Sequence, residues 1–256
     1  MNIYGSTDVG MRRRHNEDYY DYCLLLDVPP IADGTSGHEE ALLAVVCDGM
    51  GGALGGEIAS KMATETILSH IKESESQERA AMMTAAVTAA NRAVHERASR
   101  EEGLRGMGCT VVAAIATEHH LVIAHVGDSR IYLNHKDRLL LLTRDHSYVQ
   151  QLVDAGQITP EEARYSMHRN IITRAVGTHA QVKADVAVCE WEAGDRLLLC
   201  TDGLTGFVED REIGQILSES TSIEDAVREL IAAANARDCD DNLTAVVIEN
   251  KKGEPT

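Results

Sequence analysis

The sequence predicts an α+β fold built on antiparallel sheets, and three observations carry that prediction. Short apolar or β-branched runs separated by turn residues fill the middle of the 256-residue chain. Two long segments with apolar residues at helical spacing precede them, and capping signals mark further helices in an insertion and near the C-terminus.

Residues 42–47 (LLAVVC) form a buried-strand run that ends in Asp48-Gly49-Met50-Gly51-Gly52, a glycine-permitted turn from which a helix should follow. Over 57–72, Ile58, Met62, Ile67 and Ile71 keep helical spacing; Met83, Val87, Ala90 and Val94 do so again, with the polar stretch 73–78 joining the two. Beyond Gly103 the runs 110–116, 121–126, 130–134 and 139–142 read as an antiparallel meander. Ser147 opens a short helical pattern ending near Gly156, and Thr159-Pro160-Glu161-Glu162 is a capping box with proline at the first helical position. Val182, Ala184, Val186 and Val188 alternate with mostly polar residues, 196–200 is a further strand, Ser222 to Asp225 is a second capping box, and 243–249 is the last strand. Helices are thus expected at both ends and in the insertion, with a frayed polar tail over 250–256.

A chain of this length with 44% hydrophobic residues suits a single domain, assigned to 1–249. The formal charge of −17, from 41 acidic and 24 basic residues, disfavours nucleic acid and anionic membrane surfaces as partners. Cations and basic partners are the natural counterparts. The six cysteines show no C-x-x-C spacing and several lie in apolar runs, the pattern of buried thiols in a reducing compartment. No leader pattern and no apolar run of membrane length is present, so the expected location is cytoplasmic. With no heptad or exposed apolar stripe, a monomer is expected.

The chemistry is concentrated in acids. Asp48, Asp128, Asp202 and the pair Asp240-Asp241 each end an apolar or strand-like run, and Glu17-Asp18 adds a pair near the N-terminus. Any one Asp-Gly or Asp-Ser pair is more often an ordinary turn, but four in this setting favour a shared site. Carboxylates without histidine or cysteine ligand spacing favour Mg²⁺ or Mn²⁺ over Zn²⁺. A mixed zinc site using Cys47, Cys200 and Cys239 is the weaker alternative, because strand alternation turns Cys47 away from the face of Asp48. Arg12, Arg13 and Arg14 form a basic cluster beside Glu17 and Asp18, suited either to holding phosphate in a guanidinium fork or simply to balancing those acids.

Five segments taken together resemble the protein phosphatase 2C family, and its bacterial branch in particular. They are Thr7-Asp8-Val9-Gly10 through Arg13 to Asn16-Glu17-Asp18, Val46 to Gly52, Val126-Gly127-Asp128-Ser129-Arg130, Thr201-Asp202-Gly203-Leu204, and Asp241-Asn242-Leu243-Thr244. The resemblance implies a four-layer α-β-β-α sandwich of two antiparallel sheets flanked by helices, with metals at one edge. It further implies that Asp48 bridges two Mn²⁺ or Mg²⁺ ions, that Gly49 offers its carbonyl to one, and that Asp202 and Asp241 hold the other. Glu17 and Asp18 would act through ordered water, Asp128 with Asp202 would form a third, weaker metal site, and Arg13 would bind phosphate. Arg12 and Arg14 would be surface charges.

The implied reaction is hydrolysis of phosphoserine and phosphothreonine on proteins, by in-line attack of a hydroxide bridging the two ions. An opposing bacterial serine/threonine kinase would supply the phosphoprotein. Two departures bear on this. Met50 stands where many eukaryotic members carry a histidine two residues after the bridging aspartate. In the segment 155–177, which resembles the family's flap, Ser166-Met167 replaces the usual His-Pro and His168 is displaced. His168 reads as a solvated loop residue, His125 as a packed strand residue, and His15 as a neighbour of the acidic motif without an assigned role. The competing readings are a silent phosphatase-like binding module, against which the intact acids stand, and a phosphatase of small metabolites, which the metal chemistry does not discriminate.

Overall fold

The computed structural model describes residues 1–28, 39–76 and 78–251. The chain begins with two strands, β1 (Asn2–Asp8) and β2 (Tyr19–Val28), then β3 (Glu39–Cys47) and the two-residue β4 (Gly49–Met50). Helices α1 (Gly52–Lys72) and α2 (Arg79–Arg100) follow, and a single 3-10 turn leads to β5 (Gly108–Cys109), β6 (Val111–Ala116), β7 (His120–Val126), β8 (Arg130–His135) and β9 (Arg138–Leu141). The insertion carries α3 (Tyr148–Asp154) and α4 (Pro160–Arg164); then come β10 (Asp185–Glu190), β11 (Arg196–Cys200), α5 (Asp202–Thr205), α6 (Asp210–Glu219), α7 (Ile223–Asn235) and β12 (Leu243–Glu249).

Two five-stranded sheets result, in the orders β1-β12-β11-β8-β9 and β10-β7-β6-β3-β2, with every pairing antiparallel. Residue parity explains how they layer. Leu42, Ala44 and Val46 of β3 pack with Val112, Ala114, Ile131, Leu197, Leu199, Val246 and Ile248, so this cluster is the space between the sheets. Leu43, Val45 and Cys47 face the other way, onto Ile67 of α1 and Met83, Val87 and Val94 of α2. On the far side Leu198, Cys200, Ala245 and Val247 cover Ile213, Leu217, Val227 and Leu230 of α6 and α7. LLAVVC reads as one continuous apolar run because both faces of its strand are buried. Each large aliphatic side chain buried this way contributes roughly 1.5–3 kcal/mol relative to exposure. The four-layer architecture is therefore present.

Four expectations need correction. The runs from 110 to 142 are not one meander: β6 and β7 belong to one sheet and β8 and β9 to the other, and the chain changes sheet at Gly127 to Ser129. Gly127 makes that step at φ +110, where a Cβ would also lie 2.6 Å from the Thr110 side chain. The chain does not end in helices either; β1 and β12 are terminal strands paired with each other from Asn2↔Glu249 to Asp8↔Leu243. At Ser222 the hydroxyl accepts from Asp225 N, but the Asp225 carboxylate accepts from that hydroxyl and does not reach back to the Ser222 amide, as it would in a full capping box. The box at Thr159 is complete. Asn250 is no frayed residue, being buried with its amide donating to Glu118 O at 2.8 Å; 252–256 lie outside the described residues. Among the described residues no helix is long and apolar enough to cross a membrane.

Candidate active site

At one end of the sandwich the inward-facing parity changes chemistry. The β3 series 42, 44, 46 continues to Asp48, the β2 residue Tyr20 is preceded two positions earlier by Asp18, and the β12 series runs back from Val246 to Thr244 and Asn242. Leu199 of β11 is followed by Thr201, and Ile3 of β1 leads to Thr7, which pairs with Thr244 in register. Side chains that fill the core with hydrocarbon along the strands thus end as carboxylates, hydroxyls and an amide at a common mouth.

Asp18 is buried there, and its Oδ2 accepts from the Thr201 hydroxyl at 2.8 Å and the Thr244 hydroxyl at 2.7 Å. Thr244 also meets the Thr7 hydroxyl at 2.8 Å. Asp48 is placed through Thr110: the Asp48 amide donates to Thr110 Oγ1 at 2.9 Å, and the Thr110 amide donates to Asp48 O at 2.8 Å. The Thr110 hydroxyl is also 2.7 Å from that of Ser129, which ties Asp48 to the turn carrying Asp128. Asp202 opens α5 immediately after Thr201. Asn242 holds the N-terminal loop to this end, its Oδ1 accepting from Glu17 N at 2.8 Å and its Nδ2 donating to Val9 O and His15 O at 3.0 Å. Gly49 is wedged where a Cβ would lie 2.1 Å from Gly56 O and 2.5 Å from Glu17 O, so only glycine lets the chain turn beneath Glu17.

The acids crowd one another. Burial pushes Asp18 up to about 7 despite its two hydroxyl donors, and Asp202 and Asp241 add repulsion. Burial, then repulsion from Asp241, pushes Asp202 up to about 6, against a carboxyl hydrogen bond with Asp48. Asp48 and Asp128 are raised well above the usual carboxylate range, by burial first and then by neighbouring aspartates. One oxygen each of Asp18, Asp128 and Asp202 is buried with no hydrogen-bond partner among the described residues. Buried carboxylate oxygens without donors are costly unless a cation satisfies them, so the set fits hard divalent ions with oxygen ligands.

All eight sequence-predicted site residues lie at this end. Arg13 reaches it because the loop after β1 is tied to the chain before β12: the Met11 amide donates to Cys239 O at 2.8 Å. Its guanidinium pairs with Asp241 at 2.9 Å while its side chain stays 48% exposed, available to an incoming anion. Arg12, Arg14 and His15 are exposed, and His168 stands on the exposed insertion edge-on to Tyr148. His125 is buried as expected. Cys47 faces α1 and α2 rather than the acids, and all six cysteines are free. A cleft of about 860 Å³ runs from Asp128, Asp202 and Asp241 between the insertion (Val149, Tyr165) and the start of α6 (Asp210). Sequence reasoning missed Thr110, Thr201, Thr244 and Asn242 as site builders, and missed His146. The signals on offer were the fixed offsets of Asn242 and Thr244 from Asp241 and of Thr201 from Asp202.

A family model described as Protein phosphatase 2C matches residues 32–247. The "Serine/threonine phosphatase stp" of Listeria innocua serovar 6a is 35% identical over 247 residues, covering 95% of this chain and 93% of that protein. The crystal structure of the Mycobacterium tuberculosis serine/threonine phosphatase PstP/Ppp superposes with a TM-score of 0.84 at 34% identity, covering 98% of this chain and 99% of that one. A structure of the PstP catalytic domain in complex with two manganese ions gives a TM-score of 0.80 at 34% identity, covering 96% of each chain.

Proposed function

The chain belongs to the protein phosphatase 2C family and is a serine/threonine protein phosphatase, and from that premise we propose that its reaction centre is the carboxylate mouth of the sandwich. Asp48, Asp202 and Asp241, with the Gly49 carbonyl, would hold two Mn²⁺ or Mg²⁺ ions, Glu17 and Asp18 would act beside them, and Asp128 with Asp202 would serve a third, weaker site. The observation that carries this is the convergence of buried carboxylates with three unpartnered oxygens. The PstP structure with two manganese ions supports the count.

When bound, the ions supply Lewis acidity, which makes water nucleophilic near neutral pH and offsets phosphate charge. The protein's own part is placement. Thr201 and Thr244 hold Asp18 by one oxygen, leaving Oδ1 free for the mouth. Thr110 fixes the backbone of Asp48 from both sides. Arg13 exchanges its pairing with Asp241 for the non-bridging oxygens of the substrate phosphate, a bidentate match that strengthens as charge develops on them. Met50 is no proton donor, so water delivers the proton to the departing serine or threonine oxygen. The adjoining cleft of about 860 Å³ would receive the residues flanking the phosphorylated side chain.

Residues 1–249 act as one catalytic unit with 155–177 as its flap, and the chain works as a monomer. The opposing enzyme is a serine/threonine kinase, and six free cysteines suit a reducing cytoplasm. The test is phosphate release from phosphothreonine peptides, from a phosphorylated sugar and from an aryl phosphate, each with Mn²⁺ and with EDTA. Metal-dependent turnover with the peptides as the best substrates is expected. Preference for the sugar phosphate would move the substrate to metabolites, and no turnover of any of them by folded, metal-loaded protein would leave a binding module.

A further inference from the structure

Away from the carboxylate mouth, the described residues gather another set of potential ligand atoms: His125, His146 and Asp185 offer one each, all within 4.8 Å of one another. Their bonding speaks against a cation there. The Gly127 amide donates to His146 Nδ1 at 3.0 Å, so that nitrogen carries the lone pair. Nε2 faces two groups, Asp185 Oδ2 at 3.2 Å and Arg174 Nη1 at 2.9 Å, so the Arg174 guanidinium stands where a cation would meet the ring. The Arg174 guanidinium donates to Asp185 Oδ1 at 2.9 Å, so the positive charge such a site would receive is already present. His125 stacks on the His146 ring at 4.3 Å between centroids and bonds Arg144 O at 2.8 Å, which fixes the ring from its face.

What these contacts build is a joint. His146 N donates to Gly127 O at 2.7 Å, and Thr173 N donates to His146 O at 2.7 Å. The neighbouring Asp145 takes Arg130 in a bidentate pair at 2.7–3.2 Å, and Ser147 bridges to Ile172. One 8% exposed histidine therefore joins the first residues of the insertion, its returning end, strand β10 and the turn that presents Asp128. Gly127 lies at positive φ, and the His146 ring and backbone together satisfy both its amide and its carbonyl.

We propose that His146 is a positioning residue that holds the Gly127-Asp128 turn against both ends of the insertion, so that the placement of Asp128 toward its cation and the ordering of the flap are one event. This rests on the assignment of Asp128 as a ligand under the proposed function. It uses His146 Nδ1 as the acceptor for the Gly127 amide, a geometry that an asparagine side chain can imitate and an aliphatic one cannot.

The test compares full-length wild type with His146→Leu, His146→Asn, Asp185→Ala and Asp128→Asn, each checked for folding by circular dichroism. Amide exchange at Gly127 is followed in the metal-free protein, and Mn²⁺ binding by calorimetry. For His146→Leu, exchange at Gly127 is expected to accelerate about tenfold or more, and the weakest Mn²⁺ site to lose about tenfold in affinity while tighter sites change little. His146→Asn should restore both to within about threefold, and Asp185→Ala should show the same pattern more mildly. Wild-type exchange and Mn²⁺ affinity in folded His146→Leu, or an Asn variant as impaired as Leu, would overturn the proposal. If His146→Leu does not fold, unchanged exchange and binding in Asp185→Ala overturns it instead. Unaltered Mn²⁺ binding in Asp128→Asn would refute the ligand assignment itself, and with it the cation half of the proposal, while the Gly127 readout still judges the joint.

Discussion

Replacing Asp202 with asparagine should make the metal-free protein more stable while abolishing its activity. In the fold Asp202 rises from 3.8 to about 6, through burial and then repulsion from Asp241. At about 1.4 kcal/mol per pH unit, keeping that carboxylate ionised at pH 7.5 costs about 3 kcal/mol. The sign follows from linkage. A carboxyl with a raised folded pKa binds more protons folded than unfolded, so its penalty is absent below about pH 4, grows between about 4 and 6, and is complete above. Asparagine carries no such penalty, and its amide can donate to Asp48, with which Asp202 already shares a hydrogen bond. With about 2–4 °C per kcal/mol for a chain of this size, the expected gain in Tm is about 6–12 °C in EDTA at pH 7.5, shrinking to about 2–4 °C at pH 4.5. With Mn²⁺ the order should reverse, because wild type gains the free energy of ligand binding and the variant lacks a ligand. Circular dichroism melts at the two pH values, with and without Mn²⁺, are the assay. An equal or lower Tm for the variant in EDTA at pH 7.5, or a gain of the same size at pH 4.5, would refute the reasoning.

Gly49→Ala should drive its methyl into Gly56 O and Glu17 O, costing about 3 kcal/mol or more and most of the activity, measured by melting and by peptide turnover. Asn242→Ala removes one acceptor and two donors that hold the N-terminal loop; a loss of about 2–3 kcal/mol is expected, with weakened Mn²⁺ binding in calorimetry. Arg13→Ala should leave Tm nearly unchanged, since the side chain is half exposed, yet lower kcat/KM on phosphopeptides by about 10–100-fold. Arg13→Lys should recover only part of that, because an ammonium cannot form the two-point contact.

The strands buried on both faces were legible because their apolar runs are unbroken, as in LLAVVC of β3. Strand β1 was not, since NIYGSTD is mostly half-buried and carries glycine and serine where a strand pattern would show alternation. The change of sheet at Gly127 to Ser129 was invisible for a related reason: period-two patterning says which residues share a face, never which sheet the face belongs to. The acids were found because Asp48, Asp128 and Asp202 each end an apolar or strand-like run, and Asp241 stands just before the run that forms β12. The hydroxyls of Thr110, Thr201 and Thr244 left no such mark, as threonine is an ordinary strand residue and its role here depends on strands distant in sequence meeting at one mouth. His146 was hidden likewise, its partners Gly127, Asp185 and Arg174 being joined only by the fold.

The most direct measurement is calorimetric titration of the metal-free protein with Mn²⁺, paired with phosphate release from a phosphothreonine peptide, for wild type and folded Asp48→Asn. At least two ions per wild-type chain, fewer for the variant, and turnover that requires both Mn²⁺ and Asp48 are expected. Undiminished Mn²⁺ binding and turnover in Asp48→Asn would contradict the assignment of the carboxylate mouth as the reaction centre.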